Sequence, residues 1–324
     1  MERRCISIAL SLVSLLVFAP LSYGAWIWTP QTGKWLNPKS AVKDTAQEQL
    51  QAGMAFYDAK DYKKAIGDFD KVVRFYPNSI HAPIAQYYIG RSYENMEEYF
   101  HSYLAYQKVV DTYPHAKNRE EIIMRQYNIG VMFYEGKKAT VMGLPILPAI
   151  DKGIEIFERV INNSPYGEYA DKSQFKMGES YKKTNRFAEA AMAFQKLVND
   201  YPKSNLVEQA NYQVAECGYL ASLGYSYDQE TTNAAIDKFE DFLASGGGEN
   251  LVGSAKESLM ILKEKRAQGL FETAGFYEKV GKRASAIVYY KEVVDQYPES
   301  KLAGESLNRI MKLEQKMPKP RNET

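Results

Sequence analysis

Ala65-Ile66-x-x-Phe69-x-x-Val72-Val73-x-x-Tyr76-Pro77-x-Ser79 returns three times along the chain. The copies read Ser102-Tyr103-x-x-Tyr106-x-x-Val109-Val110-x-x-Tyr113-Pro114-x-Ala116, Ala190-Ala191-x-x-Phe194-x-x-Leu197-Val198-x-x-Tyr201-Pro202-x-Ser204, and Ala286-Ile287-x-x-Tyr290-x-x-Val293-Val294-x-x-Tyr297-Pro298-x-Ser300. Two degraded copies run from Gly153-Ile154 through Phe157 and Val160-Ile161 to Pro165, and from Ala235-Ile236 through Phe239 and Phe242-Leu243 to Gly246-Gly247-Gly248. Within each copy the apolar positions fall at i, i+4, i+7 and i+8, one face of a helix. The proline lies beyond that helix because it cannot continue the hydrogen-bond ladder.

Upstream of each copy, a small residue stands 12 positions before the Ala, with an aromatic three residues after the small one. The pairs are Gly53/Phe56, Gly90/Tyr93, Gly178/Tyr181 and Ala274/Tyr277. In the degraded copies Gly130/Phe133 is followed by 11 extra residues and Ala215/Gly218 by 8. This spacing predicts a first helix antiparallel to the second, the small residue allowing close approach and the aromatics interlocking between the two. Phe69, Tyr106, Phe157, Phe194, Phe239 and Tyr290 then occupy equivalent buried sites.

The units resemble tetratricopeptide (TPR) repeats, most closely at Gly90, Tyr93, Ser102, Tyr106 and Pro114 and at Gly178, Tyr181, Ala190, Phe194 and Pro202. The expected fold is all-α, a TPR-like α-solenoid: a right-handed superhelix of about six helix pairs plus a C-terminal capping helix, without β-sheet. The units fall at about 46–80, 81–117, 118–168, 169–205, 206–250 and 251–299, with a cap at 300–315. Prolines 37, 51, 37, 45 and 51 residues apart, counting Gly247 for the missing one, leave room for longer helices or loop insertions.

Outside the repeats, 1–24 reads as an export signal, with Arg3 and Arg4, an apolar run from Ile6 to Leu21, and cleavage before Ala25. Cys5 precedes that run, so the ordinary lipid-anchor pattern is missing. Cys217, the remaining thiol, reads as a small buried helix residue. Residues 25–45 form an extended Trp-rich arm and 316–324 a flexible tail.

The chain carries 41 Lys+Arg against 40 Asp+Glu, which gives no electrostatic case for nucleic acid. Neither a metal pair nor a nucleophile motif appears: His81, His101 and His115 are isolated, and Gly275-x5-Gly281-Lys282-Arg283 is a turn rather than a phosphate loop. The reading is a non-enzymatic chain with no cofactor, no metal and no small-molecule substrate, whose partners are proteins.

The 25 Tyr point to the binding surface. The stripe of first-helix residues facing the inside of the superhelix comprises Leu50, Met54 and Tyr57, then Tyr87, Arg91 and Glu94, then Tyr127, Val131 and Tyr134, then Phe175, Glu179 and Lys182. These rings either line a groove for an extended peptide or fill the tight interior. Trp26, Trp28 and Trp35 either dock on the solenoid or form a partner-docking arm. The apolar, proline-broken insertion 137–149 is either tucked in or a contact.

An exported TPR chain with the recurring Val-Val-x-x-Tyr-Pro-x-Ser helix end resembles the BamD (YfiO-like) family of outer-membrane assembly lipoproteins, best at 46–116 and 170–204. That resemblance implies a scaffold in the periplasm or on the periplasmic face of the outer membrane, in the machinery that assembles β-barrel proteins. It implies that N-terminal repeats receive an unfolded barrel segment and C-terminal repeats hold a barrel-assembly partner; the apolar run of 1–24 leaves membrane contact either indirect or through an uncleaved N-terminus. The chain departs from the family in its missing lipid-anchor Cys and in having six units rather than five. The alternative is a periplasmic TPR adaptor for cell division or polysaccharide export.

Overall fold

The computed structural model describes residues 27–29, 34–36, 42–137, 140–141, 144–145, 149–223 and 229–316. The export signal, Trp26 and the tail from Met317 lie outside the described residues. The described chain runs β1 (Ile27–Thr29), β2 (Lys34–Leu36), α1 (Ala46–Asp58), α2 (Tyr62–Phe75), α3 (Ala82–Asn95), α4 (Tyr99–Thr112), α5 (Arg119–Tyr134), β3 (Thr140–Val141), β4 (Leu144–Pro145), α6 (Ala149–Asn163) and α7 (Ala170–Lys183). It continues through α8 (Phe187–Asp200), α9 (Val207–Leu223), α10 (Gln229–Ala244), α11 (Glu249–Lys279), α12 (Arg283–Gln296) and α13 (Ala303–Gln315). The fold is all-α and TPR-like. Two short antiparallel hairpins, β1–β2 and β3–β4, depart from the strand-free expectation without altering the class. Among the described residues no helix is long and apolar enough to cross a membrane.

The Tyr-Pro-x-Ser motif has a local physical role. In each clean copy the amide of the last motif residue donates to the carbonyl of the Tyr, as Ser204 to Tyr201 at 2.9 Å and Ser300 to Tyr297 at 3.0 Å. Three residues later the next helix starts from the same turn, with Val207 donating to the Ser204 carbonyl and Ala303 to the Ser300 carbonyl. Pro ends one helix and the Ser turn launches its successor.

First helices end by a different device. A 6→1 bond closes the C-termini of α1, α3, α5, α7 and α11, Asp61 to Phe56, Glu98 to Tyr93, Lys137 to Met132, Arg186 to Tyr181 and Lys282 to Tyr277, all at 2.9 Å. The residue before each donor is left-handed: Gly136 and Gly281 meet this need freely, whereas Lys60, Glu97 and Asn185 hold φ near +60° with a side chain. Lys60→Gly is therefore expected to stabilise the fold by about 0.5–1 kcal/mol, by removing the left-handed Cβ clash. An unchanged or lowered thermal midpoint would count against that strain.

Two compact units make up the chain, Met1–Ser92 and Tyr93–Thr324, the division falling inside α3. In the first, α1 packs on α2 and a Cβ placed on Gly53 would come within 2.6 Å of the Phe69 ring. Phe69 also stacks on Tyr88 of α3 at 5.6 Å. In the second unit each helix from α4 to α12 packs on its successor, and the same opposition recurs: Gly130 faces Phe157 and Gly178 faces Phe194, with hypothetical Cβ contacts of 2.7 and 2.6 Å. All six repeat aromatics named from the sequence are buried.

The long repeats are lengthened in two ways. Between α5 and α6 the chain inserts β3–β4, with β3 beside α4. Before α12 it extends one helix instead: α11 is 31 residues, uninterrupted by proline. The N-terminal half of α11 packs Ala255 and Leu262 with Phe239 and Phe242 of α10, while Ala274 joins Tyr290 of α12. One helix thus serves two neighbouring cores.

Candidate protein-binding surface

First helices touch one another through one recurring position. Eleven residues after each turn proline stand Tyr88, Arg125, Lys176, Gln213 and Arg309. Tyr88 lies edge-on to Tyr57 at 5.1 Å, and Arg125 Nη1 donates to Glu94 Oε1 at 3.0 Å. Lys176 Nζ sits 4.6 Å from the Tyr134 ring, Lys182 Nζ donates to Gln213 at 2.7 Å, and Arg309 Nη1 to Glu278 at 3.4 Å. Chemistry at this ladder changes from aromatic to ionic while the geometry stays constant.

A rule connects the ladder to the interior. Where the second helix carries Tyr instead of Phe, its hydroxyl needs an acceptor, and the preceding first helix supplies Glu. Tyr106 donates to Glu94 at 2.5 Å and Tyr290 to Glu278 at 3.0 Å. Burial, reinforced by Glu278, pushes the Tyr290 hydroxyl up to about 12, so it donates throughout the physiological range. Sequence reading missed this coupling although its signal was present: the first-helix position that is Glu in the two Tyr units is Tyr57, Tyr134, Lys182 or Tyr219 opposite Phe.

In the second unit, α5 and α7 bring together Tyr127, Val131 and Tyr134, all half-buried, with Lys176, Glu179 and Lys183. Tyr134 lies between two ammonium groups, Lys176 and Lys183, each 4.6 Å from its ring. Lys183 also donates to the Tyr134 carbonyl at 2.8 Å, neutralising the C-terminus of α5. Burial is the largest influence on the Lys176 ammonium and would lower its pKa, but the 2.6 Å bond to Glu179 together with the charge interactions of Glu179, Tyr134 and Tyr127 leaves it above the ordinary value. Tyr134 is itself raised, by burial first and then by Glu179. Tyr127 is tied down by Tyr169 and Phe157, at 5.1 and 5.9 Å.

In the first unit, Leu50, Met54 and Tyr57 of α1 are half-buried, and Tyr57 contacts Tyr62 as well as Tyr88. Arg91 donates to the Tyr87 hydroxyl at 3.0 Å. Two residues assigned to the groove need correction. Tyr87 is 7% exposed and Phe175 6%, the latter in a core cluster with Phe194, so both act as packing. Packing against neighbouring side chains covers these rings, leaving too little surface for an anchor.

Trp28 is 47% exposed and pairs in register with Trp35 across the β1–β2 hairpin. His101 stacks on Tyr93 at 5.3 Å and lies 3.1 Å from Glu98. Among the described residues no group of three His, Cys, Asp or Glu is placed to hold a metal ion. Cys217 is buried, and that burial pushes its thiol up to about 12. Clefts of about 510 and 500 Å³ lie at the Tyr297-Pro298 and Tyr201-Pro202 turns, and neither is lined by a candidate groove residue.

A family profile described as outer membrane lipoprotein, YfiO, matches residues 148–323, more than half of the chain. A tetratricopeptide repeat profile matches residues 49–79 and 84–116. The outer membrane protein assembly factor BamD of Caulobacter vibrioides is 21% identical over 161 residues, 50% of this chain and 53% of that protein. The alignment thus spans about half the length of that relative. Among solved structures, the C-terminal part of a TPR repeat-containing protein from Cytophaga hutchinsonii has a TM-score of 0.35 at 16% identity, covering 82% of this chain and 88% of that one. PilF of Pseudomonas aeruginosa has a TM-score of 0.30 at 14% identity, covering 84% and 97%.

Proposed function

The chain belongs to the YfiO family of outer membrane lipoproteins, and from that premise we propose that it is a non-enzymatic TPR scaffold in outer-membrane β-barrel assembly. It acts from the periplasm or the periplasmic face of the outer membrane. The observation that carries this reading is the family match over 148–323, combined with half-buried aromatic surface on the first helices. In this reading the early helix pairs receive an extended segment of a barrel precursor, and the later pairs hold a barrel-assembly partner.

The proposed peptide contacts are Leu50, Met54 and Tyr57 in the first unit, and Val131 and Tyr134, braced by Tyr127, in the second. Tyr offers apolar area and a hydrogen bond at little entropic cost, which suits a strand whose backbone is unpaired before insertion. Lys183, exposed beside Tyr134, supplies a positive charge for a terminal carboxylate. Calorimetric titration with peptides copied from C-terminal strands of outer-membrane barrels is expected to show binding. Tyr57→Ala and Tyr134→Ala are expected to weaken it by about 1–2 kcal/mol each at unchanged helicity. Absence of binding by the unaltered chain would favour an adaptor of another envelope system.

A further inference from the structure

The proline turns that join one helix pair to the next are polar on the outside, except in the first repeat. Two before, three after and seven after the turn proline, the four later proline-bearing repeats carry only Thr, Asn, Gln, Lys, Asp or Glu. Around Pro114 these residues are Thr112, Lys117 and Glu121, and around Pro202 they are Asp200, Asn205 and Gln209. Around Pro77 the same positions hold Phe75, Ile80 and Ile84, which are 62%, 79% and 41% exposed. That exposure belongs to the geometry of the repeat and not to a chain end. Asp200, Asn205 and Gln209 are exposed too, although helix pairs precede and follow them.

The same corner has lost its negative charge. From six residues before Pro77 to sixteen after it, 71–93, the chain holds no Asp or Glu. The matching window of every other proline-bearing repeat holds three or more, as Asp111, Glu120 and Glu121 do around Pro114. Lys71, Arg74 and Arg91 remain. Arg74 lies 2.6 Å from Asp70 in an exposed i, i+4 pair, weak enough for a phosphate to compete with it. Two back-to-back turns shape the corner, Ser79 donating to the Tyr76 carbonyl and Ala82 to the Ser79 carbonyl, both at 3.0 Å. Pro77, Asn78 and Ile80 along them are all exposed. A protein partner calls for an apolar patch but not for the removal of carboxylates from the whole corner. A bilayer with anionic headgroups calls for both, because it buries apolar side chains at its boundary and repels carboxylates.

We propose that the first repeat docks on an anionic phospholipid surface, with Phe75, Ile80 and Ile84 entering the headgroup–acyl boundary and Arg74 meeting lipid phosphate. This contact is independent of peptide binding by the first helices. Three side chains bury too little for firm anchoring, so the contact is weak and reversible. Photo-crosslinking of the full chain tests it, with probes at the exposed Asn78 and at His115, the matching position around Pro114. With vesicles of phosphatidylethanolamine and phosphatidylglycerol, Asn78→p-benzoylphenylalanine is expected to give about tenfold more lipid adduct than His115→p-benzoylphenylalanine. Adding Phe75→Thr, Ile80→Lys and Ile84→Glu, which copies the corner around Pro114, is expected to bring the yield at 78 down to that at 115. Both chains retain 1–24, so the difference between them belongs to the corner. Replacing phosphatidylglycerol with phosphatidylcholine is expected to lower the yield several-fold. Circular dichroism checks that the helices persist, and Ile80→Lys alone, in a turn outside any helix, repeats the test if the triple change loses them. Equal yields at 78 and 115, an unchanged yield in the folded variant, or adducts to a second copy of the chain in place of lipid overturn the proposal. A yield indifferent to headgroup charge overturns the anionic surface.

Discussion

Phe194→Ala is expected to destabilise the chain by about 3–5 kcal/mol, through lost burial and the cavity left behind. The ring is fully buried, closes against Gly178, and takes the edge of Phe175 at 5.1 Å. Its cluster includes Ala210 and Cys217 of α9, so the loss reaches the next pair as well. Repeat stacks share stability between neighbours, and unfolding should loosen α7 to α9 together. Denaturant unfolding with hydrogen exchange resolves this, and a wild-type midpoint would mean that Phe194 does not occupy the pair's core.

The reciprocal change is Gly178→Leu, expected to cost about 3 kcal/mol or more by overpacking. Even a single Cβ there would lie 2.6–2.7 Å from three atoms of the Phe194 ring. Phe175 and Leu197 in the same cluster block retreat. Combining Gly178→Leu with Phe194→Ala exchanges the small and large partners, so the double variant is expected to be more stable than the two single losses predict. Strict additivity would show that the residues do not meet.

These pairs were legible in the chain order because their spacing is regular: Gly53 and Phe69, like Gly178 and Phe194, are 16 residues apart, and Gly130 and Phe157 are 27 apart because of the 11-residue insertion. The candidate surface was less legible. Helical phase placed Tyr57, Tyr87, Tyr127 and Tyr134 on related stripes, but phase says which way a side chain points and not what has been packed against it. Tyr87 therefore shares a stripe with Tyr57 although it is buried and Tyr57 only half-buried, and the lysines flanking Tyr134 escape sequence reading because they reach it from another helix.

Composition and spacing alone dictated the helix pairs, the proline-ended turns and the six buried aromatics, because these depend on local hydrogen bonding and on a period the chain repeats. They left undetermined how extra residues would be spent, and the fold answers differently in two places. After α5 the Gly- and Pro-broken insertion cannot carry a helix and contributes β3–β4. Before α12 the added residues lack proline and join a single 31-residue helix, because its two halves have separate cores to bury.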